Sequence, residues 1–171
     1  MVTFIIGGCR SGKSAEGLRR AEALDVDRRI FVATCRPYDA EMRARIERHR
    51  RERDASWETL EVPLDLAGTL EAHNARGQVI LVDCLTLWTT NLMMDAPAES
   101  DFEAQAANLV RVLAGMRCPV ILVANEVGQG IVPENAMARR FRDGAGMINQ
   151  KMAAGADQVV WMVAGIPVPI K

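Results

Sequence analysis

The segment "VTFIIGGCRSGKSAEGL" constrains this chain more than any other. An apolar run, a glycine-rich turn and a helix-compatible run follow one another there without a break. Gly7, Gly12, Lys13 and Ser14 fill the fixed positions of the pattern G-x-x-x-x-G-K-[ST]. Glycines let the backbone curl until successive N–H groups face one point, and a helix starting near Gly12 adds the positive end of its dipole. The lysine then reaches the outer phosphates of a nucleoside triphosphate, and the following hydroxyl ligates Mg²⁺. Gly7, Gly8, Cys9, Arg10, Ser11, Gly12, Lys13 and Ser14 are therefore expected to bind nucleotide, with Lys13 catalytic and Ser14 a metal ligand.

Such a loop belongs at the carboxyl end of a strand in an open α/β sheet. The rest of the chain supplies that sheet. "VTFII" (2–6), "RIFVAT" (29–34), "QVILVDC" (78–84), "PVILVAN" (119–125) and "QVVWMVAG" (158–165) are nearly continuous in branched apolar residues. They predict strands buried on both faces of a parallel sheet. "WETLEV" (57–62) is a further strand, and the prolines of the terminal "VPIK" suit an edge. Helical patterns occupy 13–24, 39–53, 65–73, 85–94, 102–116 and 134–154, and "DAPAESD" (95–101) is a surface loop. The alternation predicts one domain, 1–171, with a three-layer P-loop, RecA-like α/β fold: a mostly parallel sheet flanked by helices. With 49% apolar residues, the 171-residue chain can fill such a core. The three tryptophans, Trp57, Trp88 and Trp161, are expected in that core, and His73 at the end of a helix.

Composition excludes several classes. A net charge of −1 does not suit a nucleic-acid binder. No apolar stretch is long enough to span a membrane, and the N-terminus lacks a signal-peptide pattern. Cys9, Cys35, Cys84 and Cys118 form no CxxC pair, so free thiols in the reducing cytoplasm are expected.

Ligands of open α/β sheets sit at the carboxyl ends of the strands, which draws attention to Ala33, Thr34, Cys35, Glu61, Asp83, Asn125 and Glu126. Asp83 has two readings: the second acid of a P-loop site, holding Mg²⁺ with Ser14, or the N-cap of the next helix. Asn125 and Glu126 carry the same ambiguity. A last feature is "RARIERHRRERD" (43–54), with six arginines and one of the chain's two histidines, His49. Read locally it is a solvated helix face. Read beside a triphosphate site, its guanidinium groups suit phosphates and hold the imidazole neutral, the form that attacks phosphorus.

Taken together, "GGCRSGKS", "EMRARIERHRRER", "WETLE", "VILVDCLTLWTTNLM" and above all "VANEVGQGIVPENAMARRFRDGAGMINQKMAAGAD" resemble the bifunctional adenosylcobinamide kinase/adenosylcobinamide-phosphate guanylyltransferase family of cobalamin assembly, from Thr3 to Lys171. The resemblance implies phosphorylation of the corrinoid adenosylcobinamide by ATP or GTP. GMP would then pass from GTP to that phosphate through a guanylylated histidine, giving adenosylcobinamide-GDP and pyrophosphate. His49 matches the histidine; some members have two adjacent histidines, and Arg48 replaces the first here. Carried over position by position, nucleotide contacts fall on Gly7 to Ser14, on Ala33, Thr34 and Cys35, on Arg50, Arg51, Glu52 and Arg53, and on Glu61 and Asp83. The resemblance further implies a homo-oligomer, typically a trimer, with sites near subunit boundaries. Two rival readings remain at this level: a P-loop small-molecule kinase whose arginine helix only clamps phosphate, and a regulatory GTP-binding protein.

Overall fold

The computed structural model describes residues 1–37, 47, 53–95 and 101–171. Seven strands form one sheet in the order β3-β2-β4-β5-β1-β6-β7. They are β1 (Val2–Gly7), β2 (Arg28–Ala33), β3 (Trp57–Glu61), β4 (Gln78–Asp83), β5 (Val120–Asn125), β6 (Gln158–Val163) and β7 (Ile166–Pro169). Neighbours pair in parallel from β3 through to β6, and only β7 runs antiparallel, against β6. The described helices are α1 (Lys13–Glu22), α2 (Leu66–Ala72), α3 (Leu85–Asp95), α4 (Phe102–Ala114) and α5 (Ala136–Gly155). The helix expected over 39–53 lies outside the described residues apart from Glu47, which is helical, and Arg53, which is in a bend.

The sheet divides two apolar cores, as continuous apolar strands require. Alternate residues of β1, β4 and β5 (Ile5, Leu81, Val123) cluster with Phe31, Trp57 and Ala21 of α1. The intervening residues (Phe4, Val82, Leu122) pack with Leu70 of α2, Trp88 of α3, Leu109 of α4 and Ile148 of α5. These are the three layers. Side-chain caps start three helices: Asp65 accepts from Gly68 N–H, Asp101 from Ala104 N–H, and Asn135 from Ala138 N–H. Asn135 explains why α5 begins at Ala136 and not at 134, since the capping residue stands just outside the helix.

The last strand starts at Ile166, two residues before "VPIK". Its prolines, Pro167 and Pro169, sit on the sheet edge, where no further strand needs their missing N–H. The expectation for Trp161 is corrected: it points outward from β6, half-exposed, because the antiparallel β7 brings no crossover helix to cover it. Trp57 and Trp88 are buried as expected. His73 caps the end of α2, with its Nδ1 against the Thr69 carbonyl at 2.9 Å.

Candidate functional site: the P-loop and the strand ends

The P-loop is built on steric necessity. A Cβ on Gly7 would lie 2.5 Å from the Met162 carbonyl oxygen of the neighbouring β6. Gly12 adopts φ 92°, a conformation only glycine takes readily, and this turns the chain into α1. Arg10 between them also has positive φ. The loop is tied on both sides. Glu126 N–H donates to the Gly7 carbonyl (2.9 Å), and Gly165 N–H donates to the Ser11 carbonyl (3.1 Å). Inside it the Lys13 ammonium donates to the Gly8 carbonyl (2.5 Å) and the Ser11 hydroxyl (3.4 Å). Lys13 and Ser11 are both buried. Unlike α2, α4 and α5, helix α1 has no side-chain cap, so its first N–H groups and its dipole face the curl of the loop.

The strand ends continue the site sideways. Glu61, Ala33 and Asp83 are register partners at the carboxyl ends of β3, β2 and β4, so all three side chains leave the sheet on the α1 face. At about 4.8 Å per strand, Asp83 stands about 10 Å from the P-loop strand, Ala33 about 14 Å and Glu61 about 19 Å. Asp83 is the informative member. Its Oδ2 is buried and takes no hydrogen bond. An orphaned carboxylate oxygen facing the P-loop side is what a hard cation seeks. Among the described residues no cluster of three metal-ligating side chains exists. A lone carboxylate oxygen of this kind suits Mg²⁺, which keeps its waters and takes phosphate oxygens.

Thr34 and Cys35 follow Ala33 directly. Thr34 is fully buried, and its polar groups are used within the protein. Its hydroxyl donates to the Cys84 carbonyl (2.7 Å) and accepts from Cys84 N–H (2.9 Å), while Asn91 Nδ2 donates to its carbonyl (2.7 Å). Thr34 therefore locks the ends of β2 and β4 and so positions Asp83. Cys84 is no nucleophile: burial, reinforced by the Asp83 charge, pushes its thiol up to about 12. All four cysteines are free thiols, and only Cys9, at the P-loop surface, is exposed.

Arg53 takes a different place. Its guanidinium stacks over the Phe31 ring at 3.6 Å and lies within hydrogen-bond reach of Thr59 (3.4 Å). Both lie two residues short of the strand ends. Beside it a cleft of about 310 Å³ is lined by Arg53, Asp54, Ala55, Trp57 and Thr59. His49, Arg50, Arg51 and Glu52 lie outside the described residues.

Sequence reasoning passed over Arg142. This arginine of α5 donates through Nη2 to the Gly128 carbonyl (2.6 Å), while its Nη1 is buried without a partner. Glu126, one of the ambiguous strand-end residues, accepts from Gly128 N–H (2.9 Å) and so shapes the turn after β5. The sequence signal was its place in "VANEVGQGIVPENAMARRFRDGAGMINQKMAAGAD", the segment that carries the resemblance most strongly but from which no role for this arginine was read.

The family model described as cobinamide kinase / cobinamide phosphate guanyltransferase matches residues 3–170. The chain belongs to this family. It is 44% identical to the bifunctional adenosylcobalamin biosynthesis protein CobP of Pseudomonas aeruginosa, over all of this chain and 98% of that one. It is also 44% identical to the bifunctional adenosylcobalamin biosynthesis protein CobU of Escherichia coli, over the whole of both chains. Two solved structures share the fold. The RadB recombinase has a TM-score of 0.52 at 14% identity, covering 94% of this chain and 73% of its own. The flagellar accessory protein FlaH of Methanocaldococcus jannaschii has 0.54 at 13%, covering 99% and 77%. The chain thus shares the fold of these two proteins, and its mostly parallel sheet flanked by helices is the α/β architecture that the strand alternation predicted.

Proposed function

We propose that this chain phosphorylates adenosylcobinamide with ATP or GTP and then transfers GMP from GTP to the product; the description of its family names a cobinamide kinase and a cobinamide phosphate guanyltransferase, and its full-length relatives are named bifunctional adenosylcobalamin biosynthesis proteins. The observation that carries the reading is the pairing of an uncapped α1 N-terminus, wrapped round a buried Lys13, with the orphaned carboxylate of Asp83 two strands away.

In the kinase step the loop N–H groups of residues 8–14 hold the β- and γ-phosphates, and Lys13 stabilises the charge that spreads over the transferring group. Ser14 and Asp83 would hold Mg²⁺, which supplies further neutralisation of the phosphate oxygens when bound. In the second step a ring nitrogen of His49 attacks the α-phosphorus of GTP; an N–P bond forms, the α–β P–O bond breaks, and pyrophosphate leaves. An oxygen of the corrinoid phosphate then attacks the same phosphorus, releasing the imidazole and forming adenosylcobinamide-GDP. Nucleotide contacts are assigned to Gly7 to Ser14, Ala33, Thr34, Cys35, Arg50, Arg51, Glu52, Arg53, Glu61 and Asp83; Thr34, whose hydroxyl and carbonyl are engaged with Cys84 and Asn91, acts by holding the ends of β2 and β4 in place.

We assign the protein to the cytoplasm as a homotrimer. Four free thiols agree with a reducing compartment, and an exposed apolar stripe along β6 and β7 supports self-association. No described helix is long and apolar enough to cross a membrane.

Incubation with α-labelled GTP tests the covalent step. An acid-labile, alkali-stable label on the parent protein, absent from His49→Ala and discharged by adenosylcobinamide phosphate, is the expected result. Kinase activity with no labelling would instead assign the chain as a kinase alone.

A further inference from the structure

Both reactions need an acceptor facing the nucleotide, and the α1 side of the sheet is committed to the triphosphate. The turn after β5 lies between the two halves of the nucleotide site, since β5 separates β4, with Asp83, from β1, with the P-loop. Glu126 N–H bonds to the Gly7 carbonyl at 2.9 Å, so the turn begins in contact with the P-loop. From there the chain passes to α5, on the sheet face opposite α1. A ligand on this turn would therefore lie next to the P-loop, within reach of what the loop binds.

Two independent features of the turn point to one occupant. The first is apolar: Ile131 is 97% exposed, Val132 61% and Met137, in the first turn of α5, 56%. Large apolar side chains presented so fully beside a phosphate site mark a binding surface. The second is anionic in its demand. The Arg142 guanidinium is clamped by Gly128 through Nη2, and its Nη1 is buried and lacks a hydrogen-bond partner. The planar fork of arginine matches phosphate oxygens, and a donor left unmet in a desolvated place is satisfied well by an anion. The turn itself is braced: Gly128 N–H donates to Glu126, and Arg139 Nη1 donates to the Pro133 and Glu134 carbonyls at 2.9 and 2.6 Å.

We infer that residues 126–137 and Arg142 form the acceptor subsite: Ile131, Val132 and Met137 receive the apolar face of the corrinoid, and Arg142 receives the phosphate that it acquires in the first reaction. The inference rests on the proposed function and names the surface on which its second substrate docks. The occupant is a broad macrocycle with an apolar face and an anionic arm, and charge complementarity with Arg142 favours it over a second copy of the chain.

The test compares the parent protein with Ile131→Ser/Val132→Ser, Arg142→Gln and Arg142→Lys, each checked for an unchanged melting profile. The double serine variant is expected to raise the KM for both corrinoids at least about tenfold, roughly the loss of 1.4 kcal/mol of apolar contact. Arg142→Gln is expected to raise the KM for adenosylcobinamide phosphate much more than for adenosylcobinamide. Arg142→Lys, which keeps the charge but not the fork, should fall between. The KM for GTP and the extent of self-guanylylation, which need no acceptor, should stay within about twofold. Equal losses for GTP and corrinoid, or unchanged corrinoid KM values, overturn the inference. So does a change in sedimented mass for the double variant, which would give the patch to a second copy. If the parent shows no guanylylation, equilibrium dialysis of adenosylcobinamide, followed by its visible absorbance, still separates parent from variants. The proposed function then fails while the subsite stands or falls on binding alone.

Discussion

At the scale of single residues, the site divides into groups satisfied by the protein and groups left for a ligand. Lys13 belongs to the first class in its geometry and to the second in its chemistry: its ammonium is already held inside the loop by Gly8 and Ser11, so little reorganisation precedes phosphate binding. Lys13→Ala is expected to lower kcat for the kinase reaction about 10²–10³-fold, read in a coupled assay with the melting temperature unchanged to within a few degrees. Asp83 gives a sharper prediction because its Oδ2 is buried with no partner. A buried unpaired carboxylate costs stability that function must justify. Asp83→Asn should therefore melt at the same temperature as the parent or higher, while kcat at saturating Mg²⁺ falls at least about tenfold. Lower stability together with lower activity would make Asp83 a structural residue. The P-loop was legible residue by residue because every part of it is local: strand, turn, lysine and helix follow within thirteen residues. Arg142 was not legible, since its meaning depends on Gly128, fourteen positions away, and on a donor that is unmet only in three dimensions.

At the scale of elements, the strands were the most readable part of the chain, because central parallel strands are apolar on both sides and need no pattern beyond continuity. Helix starts were less readable: α5 begins after a capping asparagine that composition alone does not distinguish from the glutamate before it. Helix α1 shows how an element serves the site with its first residues and braces itself through the turns that follow. Glu16 is buried and accepts from Arg19 (2.7 and 2.8 Å) and from Arg20 (2.6 Å). The Arg19 hydrogen bonds hold its carboxyl below the usual value against the opposing effect of burial, and Arg20 helps. A depressed carboxylate contributes stability that is full above the unfolded pKa of about 4.5 and is lost as pH falls through the lower folded value. Glu16→Gln should thus melt about 2–4 °C lower at neutral pH, with the gap to the parent closing below pH 4. A gap that persists in acid would mean packing and not charge. Packing decides a second case. Gly144 of α5 faces the Phe102 ring of α4, and a Cβ there would lie 2.6 Å from two ring carbons. Alanine gains about 1 kcal/mol of helix propensity, but overpacking costs about 1–3 kcal/mol. A contact this short takes the upper part of that range, so Gly144→Ala should lose about 1–2 kcal/mol in denaturant unfolding.

At the scale of the whole molecule, the exposure of Trp161 gains a meaning that no local pattern carries. The antiparallel β7 pairs Trp161 with Val168 and Val163 with Ile166, which places these four side chains on one face of the edge ribbon. All four are exposed, and Ile170 beyond them is 62% exposed. A stripe of this kind on a monomer would invite uncontrolled association, and the free edge of β7 would add to it. The prolines blunt pairing at that edge, leaving side-chain burial as the route by which the stripe can be covered. A closed ring of identical copies covers it without extending into a filament. Sedimentation of the parent chain is therefore expected to give a mass above that of one subunit, and three subunits for the proposed homotrimer. Ile166→Glu/Val168→Glu should give one, with a melting temperature that no longer rises with protein concentration. The comparison with the turn after β5 is then decisive for where the copies meet. Charging the β6–β7 ribbon must change the mass, whereas Ile131→Ser/Val132→Ser must leave it intact. A parent that stays monomeric at high concentration would hand the ribbon to a different partner.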